Sequence, residues 1–451
     1  MTTESPFVST RGRRALIAAC CLTALAAILA TVGDAGQAGA AEAAGVGPDV
    51  TVFSFTDIVS YGSANGFAAY AIGTDACNRG DTPVNWCDQS GGCAPGATPK
   101  DHPVIAQNLY RLKNGRFEQI GMSWLKHGFA SVNSFNPGCT GASGQTCQGP
   151  PAGSNQLGVG CTDAYSAGTN GSRPLGRRSD VNATTGVFPY PYSSPGGPYA
   201  VYDQRIKVAT ADLDPASNVG ATYFAEAHYV AGDDASAGNS FNNASHRRVT
   251  VAGAPNYTVT MTGTFFEQLP AISAWPAQDP TVDLIKVDVP AGSLVERYNV
   301  ARKVTDLKNG HWHYEYAVHN LSSDRAARSF SVEFPSATTF TNVGFKGIEH
   351  HSGEPYAIDS WTSSSSPNAL TWSTDTFATN PNAHALRFAT LFNFWFDADQ
   401  PPADSILNSL DLFKPGDPPA VEFAIVNSLF SDNFESGGIG NWSGGANRPA
   451  G

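Results

Sequence analysis

The stretch Lys308-Asn309-Gly310-His311-Trp312-His313-Tyr314-Glu315-Tyr316-Ala317-Val318-His319 decides the reading of this chain. Asn-Gly tolerates positive φ at both positions and is the strongest short hairpin signal. The residues after it alternate. Successive side chains of a strand point to opposite faces, so Trp312, Tyr314, Tyr316 and Val318 share one face and His311, His313, Glu315 and His319 the other. The pattern returns at Leu386 to Phe396, aromatic on both faces as a central strand should be, and at Ser329 to Pro335 and Val421 to Ile425.

Upstream, Asn108 to Leu112, a turn at Asn114-Gly115, and Arg116 to Ile120 form another hairpin pattern, and strand-like runs recur from Thr51 to Phe266. Gly, Pro, Ser, Thr and Asn are abundant and only 15% of residues are charged, which suits strands and long loops better than helices. The expected fold class is all-β: two β-sandwich domains, the first with long disulfide-stapled loops. Pro270, Pro276 and Pro280 place a linker at 271–280. The organisation is then a signal peptide at 1–40, an N-terminal domain at 41–270, an immunoglobulin-like sandwich at 281–430 and a tail at 431–451.

The leader has a basic start (Arg11, Arg13, Arg14), an apolar run from Ala15 to Val32 and a small-residue site at Ala38-Gly39-Ala40. Cys20 offers lipoprotein processing, and the length of the run offers a retained anchor, as alternatives. Export is the expectation, with no membrane-spanning segment after signal removal and a secreted or cell-surface location. Six cysteines remain: Cys77, Cys87, Cys93, Cys139, Cys147 and Cys161. An even set without CxxC spacing reads as disulfides, with fifteen pairings open. The net charge of −12 argues against nucleic acid as a partner. GxSxG, HExxH, P-loop and GxGxxG motifs are absent from the sequence.

Several segments carry a resemblance: His102 to Asn108, Gly121 to Phe129, Gly158 to Tyr165 and His351 to Tyr356. Together they resemble a group of exported β-rich bacterial proteins of planctomycete and gammaproteobacterial type with no assigned activity. The resemblance implies a real fold and export, and no mechanism. The tail from Asp432 to Ser443 is similar to endings that serve as sorting or anchoring tags.

Three constellations could carry chemistry. The first is the stapled region, which gathers Arg111, Arg116, Lys126, His127, Asp163, Tyr165, Arg173, Arg177, Arg178 and Asp180. A polysaccharide lyase needs a base beside a uronate and a cation to neutralise its carboxylate, roles that His127 or Tyr165, Lys126 and Arg116 could fill. A hydrolase would use two carboxylates, here Asp163 and Asp180. The second is a metal site at His311, His313 and Glu315, with His350, His351 and Glu354 as further candidates. The ordinary alternative is a strand with one buried and one wet face. The third is structural Ca²⁺ held by Asp212, Asp214, Asp233, Asp234, Asn239, Asn242 and Asn243.

The expected function is a polysaccharide-active secreted enzyme with its site in the N-terminal loops. A non-catalytic glycan-binding or envelope protein, using the loop aromatics Trp86, Tyr190, Tyr192 and Trp361, is one alternative. A metal-binding surface protein is the other. An extracellular polysaccharide or envelope glycan is the expected partner.

Overall fold

The computed structural model describes residues 45–426 apart from 89–91, 193 and 195. The leader at 1–40 and the tail at 431–451 lie outside the described residues. The fold is all-β, with antiparallel sheets and a few short helical turns. No helix among the described residues is long and apolar enough to cross a membrane.

The first half builds one large sheet. Its order runs Val259–Phe266, Ala244–Val251, Thr222–Val230, Val104–Lys113, Arg116–Met122, Ile206–Ala209, Phe67–Asn78 and Cys161–Tyr165. Val50–Ala64 pairs along the remaining side of Phe67–Asn78. The sheet curls until Val50–Ala64 lies beside Val259–Phe266, with Ser60 Oγ accepting from Val259 N at 3.0 Å and Phe55 edge-on to Phe265 at 5.0 Å. Val52, Tyr70, Ile72, Leu109 and Ala225 fill the inside of the curl.

The Asn114-Gly115 turn forms as read: both residues have positive φ and Lys113 pairs with Arg116 across a two-residue loop. Asn65-Gly66 makes the same turn between Ala64 and Phe67, although its flanking runs alternate less clearly. At the second predicted turn the left-handed residues are Lys308 and Gly310 instead of Asn309 and Gly310.

The second half holds two five-stranded sheets. One orders Val282–Ala291, Leu294–Asp306, Trp312–Asn320, Leu391–Ala398 and Phe340–Lys346. The other orders Thr362–Ser365, Ala369–Ser373, Ala327–Glu333, Leu407–Leu412 and Ala420–Ala424. They face each other across Phe330 and Phe394, 4.8 Å apart, and Trp372 and Phe394, 5.4 Å apart. Tyr314, Tyr316 and Val318 point into this core, as the alternation requires.

The opposite face of the Trp312–Asn320 strand is not wet. Ala317 and Leu391 pack with Tyr110, Phe117 and Phe224 of the first half, and His319 is 1% exposed. The stretch read as a linker packs there too. It forms Ala271–Ser273 and Ala274–Gln278, and buries Trp275 completely, stacked on Phe117 at 6.5 Å. The cysteines form three pairs, Cys77–Cys139, Cys87–Cys93 and Cys147–Cys161, so the stapling is confined to the first half as the spacing implied.

Candidate functional site

The residues named from the stapled region come partly together, and the Tyr165 hydroxyl and one Asp163 oxygen are used by the fold. Tyr165 ends the Cys161–Tyr165 strand and its hydroxyl is saturated. It donates to Phe129 O at 2.6 Å and accepts from Phe129 N and Trp86 Nε1, each at 3.0 Å. Burial, with the Asp163 charge beside it, holds this phenol above its ordinary range. Asp163 is completely buried and accepts from Val132 N at 2.7 Å. Burial pushes its carboxyl up to about 7, although the Val132 amide opposes the shift. These two residues pin the 129–132 loop to the sheet.

Lys126 and His127 part company, as neighbours on a strand should. Lys126 lies over the Phe129 ring at 5.2 Å and remains partly exposed. His127 is 2% exposed, stacked on Tyr192 at 3.6 Å, with Nδ1 against His102 Nε2 at 2.9 Å. Burial first, then the charges of His102 and Lys126, hold its basicity down to about 2. A ring that stays neutral at every ordinary pH is a poor general base. Asp180 lies in the Arg178–Asp180 turn, close enough to Tyr356 to bear on its phenol, and Asp163 contacts neither.

Arg116 and Glu315 were assigned to different constellations, and they meet. Arg116 Nε and Nη2 donate to the two oxygens of Glu315 at 2.8 and 2.7 Å, and the guanidinium stacks on Trp395 at 3.6 Å. Glu315 is thereby committed to a cation. His313 bonds Asp397 through Nδ1 at 2.6 Å, and its Nε2 lies 3.5 Å from Glu315. These carboxylates raise its pKa, led by the Glu315 hydrogen bond. His311 joins neither carboxylate. Among the described residues no group of three or more His, Cys, Asp or Glu is disposed to hold a metal, and His313 and Glu315 join an ion-paired seam between the halves.

The oxygen-rich loops read for Ca²⁺ are likewise engaged by N–H groups. Asp234 accepts from Val50 N and Asn243 Nδ2, Asp233 from Asn85 N, and Asp212 pairs with Arg111 at 3.0 Å. Asp214 closes its own turn through Ser217. Trp86 and Trp361 are buried, at 0% and 5% exposure, so neither forms a surface platform.

A different surface stands out by its electrostatics. Arg205, just before the Ile206–Ala209 strand, lies over Tyr61 at 3.4 Å. Lys207, two residues on and so on the same face, lies over Phe67 at 4.1 Å and near Tyr202. Arg173 lies over Tyr199 at 4.6 Å. None of the three has a carboxylate within ion-pair distance among the described residues, and Arg173 is close enough to Arg205 to depress its pKa, after burial. Their guanidinium contacts are backbone carbonyls: Ala200 for Arg173, Gly171 and Val201 for Arg205.

This surface runs into a cleft of about 290 Å³ where the halves meet. Phe67, Lys207 and Asp212 form one wall and Lys346, Ile348 and Glu349 the other, over a floor of Ile120 and Met122. Lys346 is 35% exposed and reaches Glu118 only at 3.4 Å. An apolar floor with a few charged groups at the rim is the usual build of a small-ligand site. Of these residues, sequence reading had singled out Arg173 for the stapled constellation and Asp212 for Ca²⁺, neither for this surface. The signal for the rest was faint: Arg205 and Lys207 share a strand parity beside Tyr202. No known protein family and no curated protein matches this chain.

Proposed function

We propose that this chain is an exported glycan-binding protein that takes an acidic saccharide on the Arg173–Arg205–Lys207 surface and in the cleft beside it. The observation that carries the reading is a set of three cations stacked on aromatic rings, without carboxylate partners, in a chain of net charge −12. Arg79, Arg116, Arg297 and Lys303, by contrast, each have an acidic partner. Unpaired guanidiniums keep N–H groups for uronate or sulfate oxygens. Each cation gains from the ring beneath it, and the ring holds the long side chain in place, which lowers the entropy lost on binding.

The Cys77–Cys139 and Cys147–Cys161 pairs tie down the loops next to this sheet and suit an oxidising compartment. The test is calorimetric titration with defined oligouronates, sulfated oligosaccharides and neutral oligosaccharides. Acidic ligands should bind, Arg205→Ala with Lys207→Ala should weaken binding at least tenfold, and affinity should fall as salt rises. Equal affinity for neutral sugars, or an unaffected double variant, overturns the reading. Unsaturated uronates or new reducing ends would convert it to the enzyme reading of the same surface.

A further inference from the structure

A second, smaller cavity of about 20 Å³ lies among residues 178–181, 323–324, 350–356 and 387–388, where His350 lines it and the neighbouring His351 lines the cleft. Its lining holds two buried guanidiniums, Arg178 at 5% and Arg387 at 6% exposure. Neither has a carboxylate within ion-pair distance among the described residues. Arg178 donates to Ser123 O, Ala389 O, Gln107 O and Asn108 Oδ1 at 2.6 to 3.1 Å. Arg387 donates to Pro381 O and Ala383 O, and lies between the rings of Tyr356 at 4.0 Å and Phe413 at 4.5 Å. Its Nε is buried without a partner.

His350 lines the same cavity, 6% exposed, and neither ring nitrogen has a hydrogen-bond partner among the described residues. An unmade bond on a buried imidazole is unfavourable, so the ring favours a partner that enters the cavity. Of the nearby carboxylates, Asp180 bears on Tyr356 and keeps a buried Oδ2 without a hydrogen-bond partner among the described residues, while two others are engaged. Glu354 accepts from Arg178 N at 2.8 Å and Ser179 N at 3.3 Å, and Asp324 pairs with Lys414 at 2.8 Å. Three cations and one carboxylate therefore line a space with apolar walls at Val181 and Phe388.

We infer that this cavity is a binding site for one halide-sized monovalent anion, chloride in its natural setting. Size sets the class. Roughly 10–15 Å³ on this measure holds one water, so about 20 Å³ admits a monatomic ion and excludes phosphate or a sugar acid. Charge sets the sign. The two guanidiniums bond only carbonyl oxygens, with the charges of Glu226, Glu354 and Asp324 acting from beyond ion-pair distance, and an anion in the cavity would accept from Arg387 Nε–H and a His350 N–H. A water would satisfy one imidazole atom and leave the charge.

Two measurements on the full chain test this. The first is bromide-soaked crystals, read by anomalous diffraction at the bromine edge. The expected result is a peak in this cavity. The second is melting temperature against chloride concentration, at constant ionic strength set with gluconate. A chloride-specific rise of about 2 °C between 1 and 100 mM is expected. Lys414→Gln, at the 35%-exposed rim, should fold normally and move the chloride midpoint at least tenfold higher, because Asp324 loses its partner and repels the anion. A cavity that shows only water, or a bromide peak with no chloride-specific rise in melting, overturns the inference.

Discussion

Replacing Arg116 by alanine is the most informative single change in the seam between the halves. The guanidinium makes both oxygens of Glu315 bidentate partners and covers the Trp395 ring. Glu315 is 5% exposed on its side chain, and without Arg116 its nearest cation would be His313 Nε2 at 3.5 Å. Leaving a buried charge without its partner costs roughly 3–5 kcal/mol. Arg116 itself is 24% exposed, so water can enter where it stood, and about 2 kcal/mol is the fitting magnitude. The lost ring contact adds about 0.5–1 kcal/mol. Urea denaturation of wild type and Arg116→Ala should therefore differ by about 2–3 kcal/mol. The discriminating arm is the double variant. Glu315→Gln removes the stranded charge, so Arg116→Ala with Glu315→Gln should be more stable than Arg116→Ala alone, by about 1 kcal/mol. A loss under about 0.5 kcal/mol for Arg116→Ala, or no rescue by Glu315→Gln, would refute the seam as an energetic link.

Other outcomes are expected from the same geometry. His313 has its pKa raised by Glu315 and Asp397, so its contribution is full below the unfolded value of about 6.5 and is lost as pH rises through the folded value. Melting curves between pH 6 and 8 should fall, and His313→Gln should flatten that slope. Asp163 has the opposite sign: its carboxyl sits up near 7 in the fold against 3.8 unfolded, so ionising it destabilises the protein as pH climbs through that window. Asp163→Asn, which keeps an oxygen for Val132 N, should raise the melting temperature at pH 8 far more than at pH 4; equal shifts at both would count against it. Trp275→Ala empties a fully buried site between the halves and should cost about 3–5 kcal/mol in denaturant titration, where a true linker would cost under about 0.5. Removing the Cys77–Cys139 pair opens a closure spanning 62 residues, and the Cys→Ala double variant should lose about 4 kcal/mol by the loop-entropy estimate.

The strands were readable because burial on one face imposes a period of two, and nothing else in the chain competes with it. What the alternation at His311 to His319 could not tell was which element would cover the polar face. Period gives parity, not the identity of the neighbour. The covering surface is Tyr110, Phe117 and Phe224, far upstream in sequence, and it turns His319 and Glu315 from solvated residues into buried ones. The proline run at 270–280 misled for a related reason. Proline reports the local backbone, whereas Trp275 in its midst reports burial, and burial decides whether a connection is loose or packed.

The same distinction separates the sites read from the sequence from the site found in the fold. Residue type advertises chemical capacity: a His beside a Lys, a Tyr near an Asp, two His around a Glu. Folding then spends that capacity. The Tyr165 hydroxyl is used by Trp86 and Phe129, Glu315 by Arg116, and Asp234 by Val50 N and Asn243. Most buried polar groups find a partner inside the protein, and a polar residue whose bonds are made in this way is the one least able to serve a ligand. Arg205 and Lys207 carry no motif and escaped notice for that reason, and Arg173 was read only as one cation of the stapled region. They keep their charge unpaired at the surface because aromatic faces hold them in place of carboxylates. An aromatic face steadies a cation without neutralising it, which is the physical ground for the proposal that this surface takes an acidic ligand.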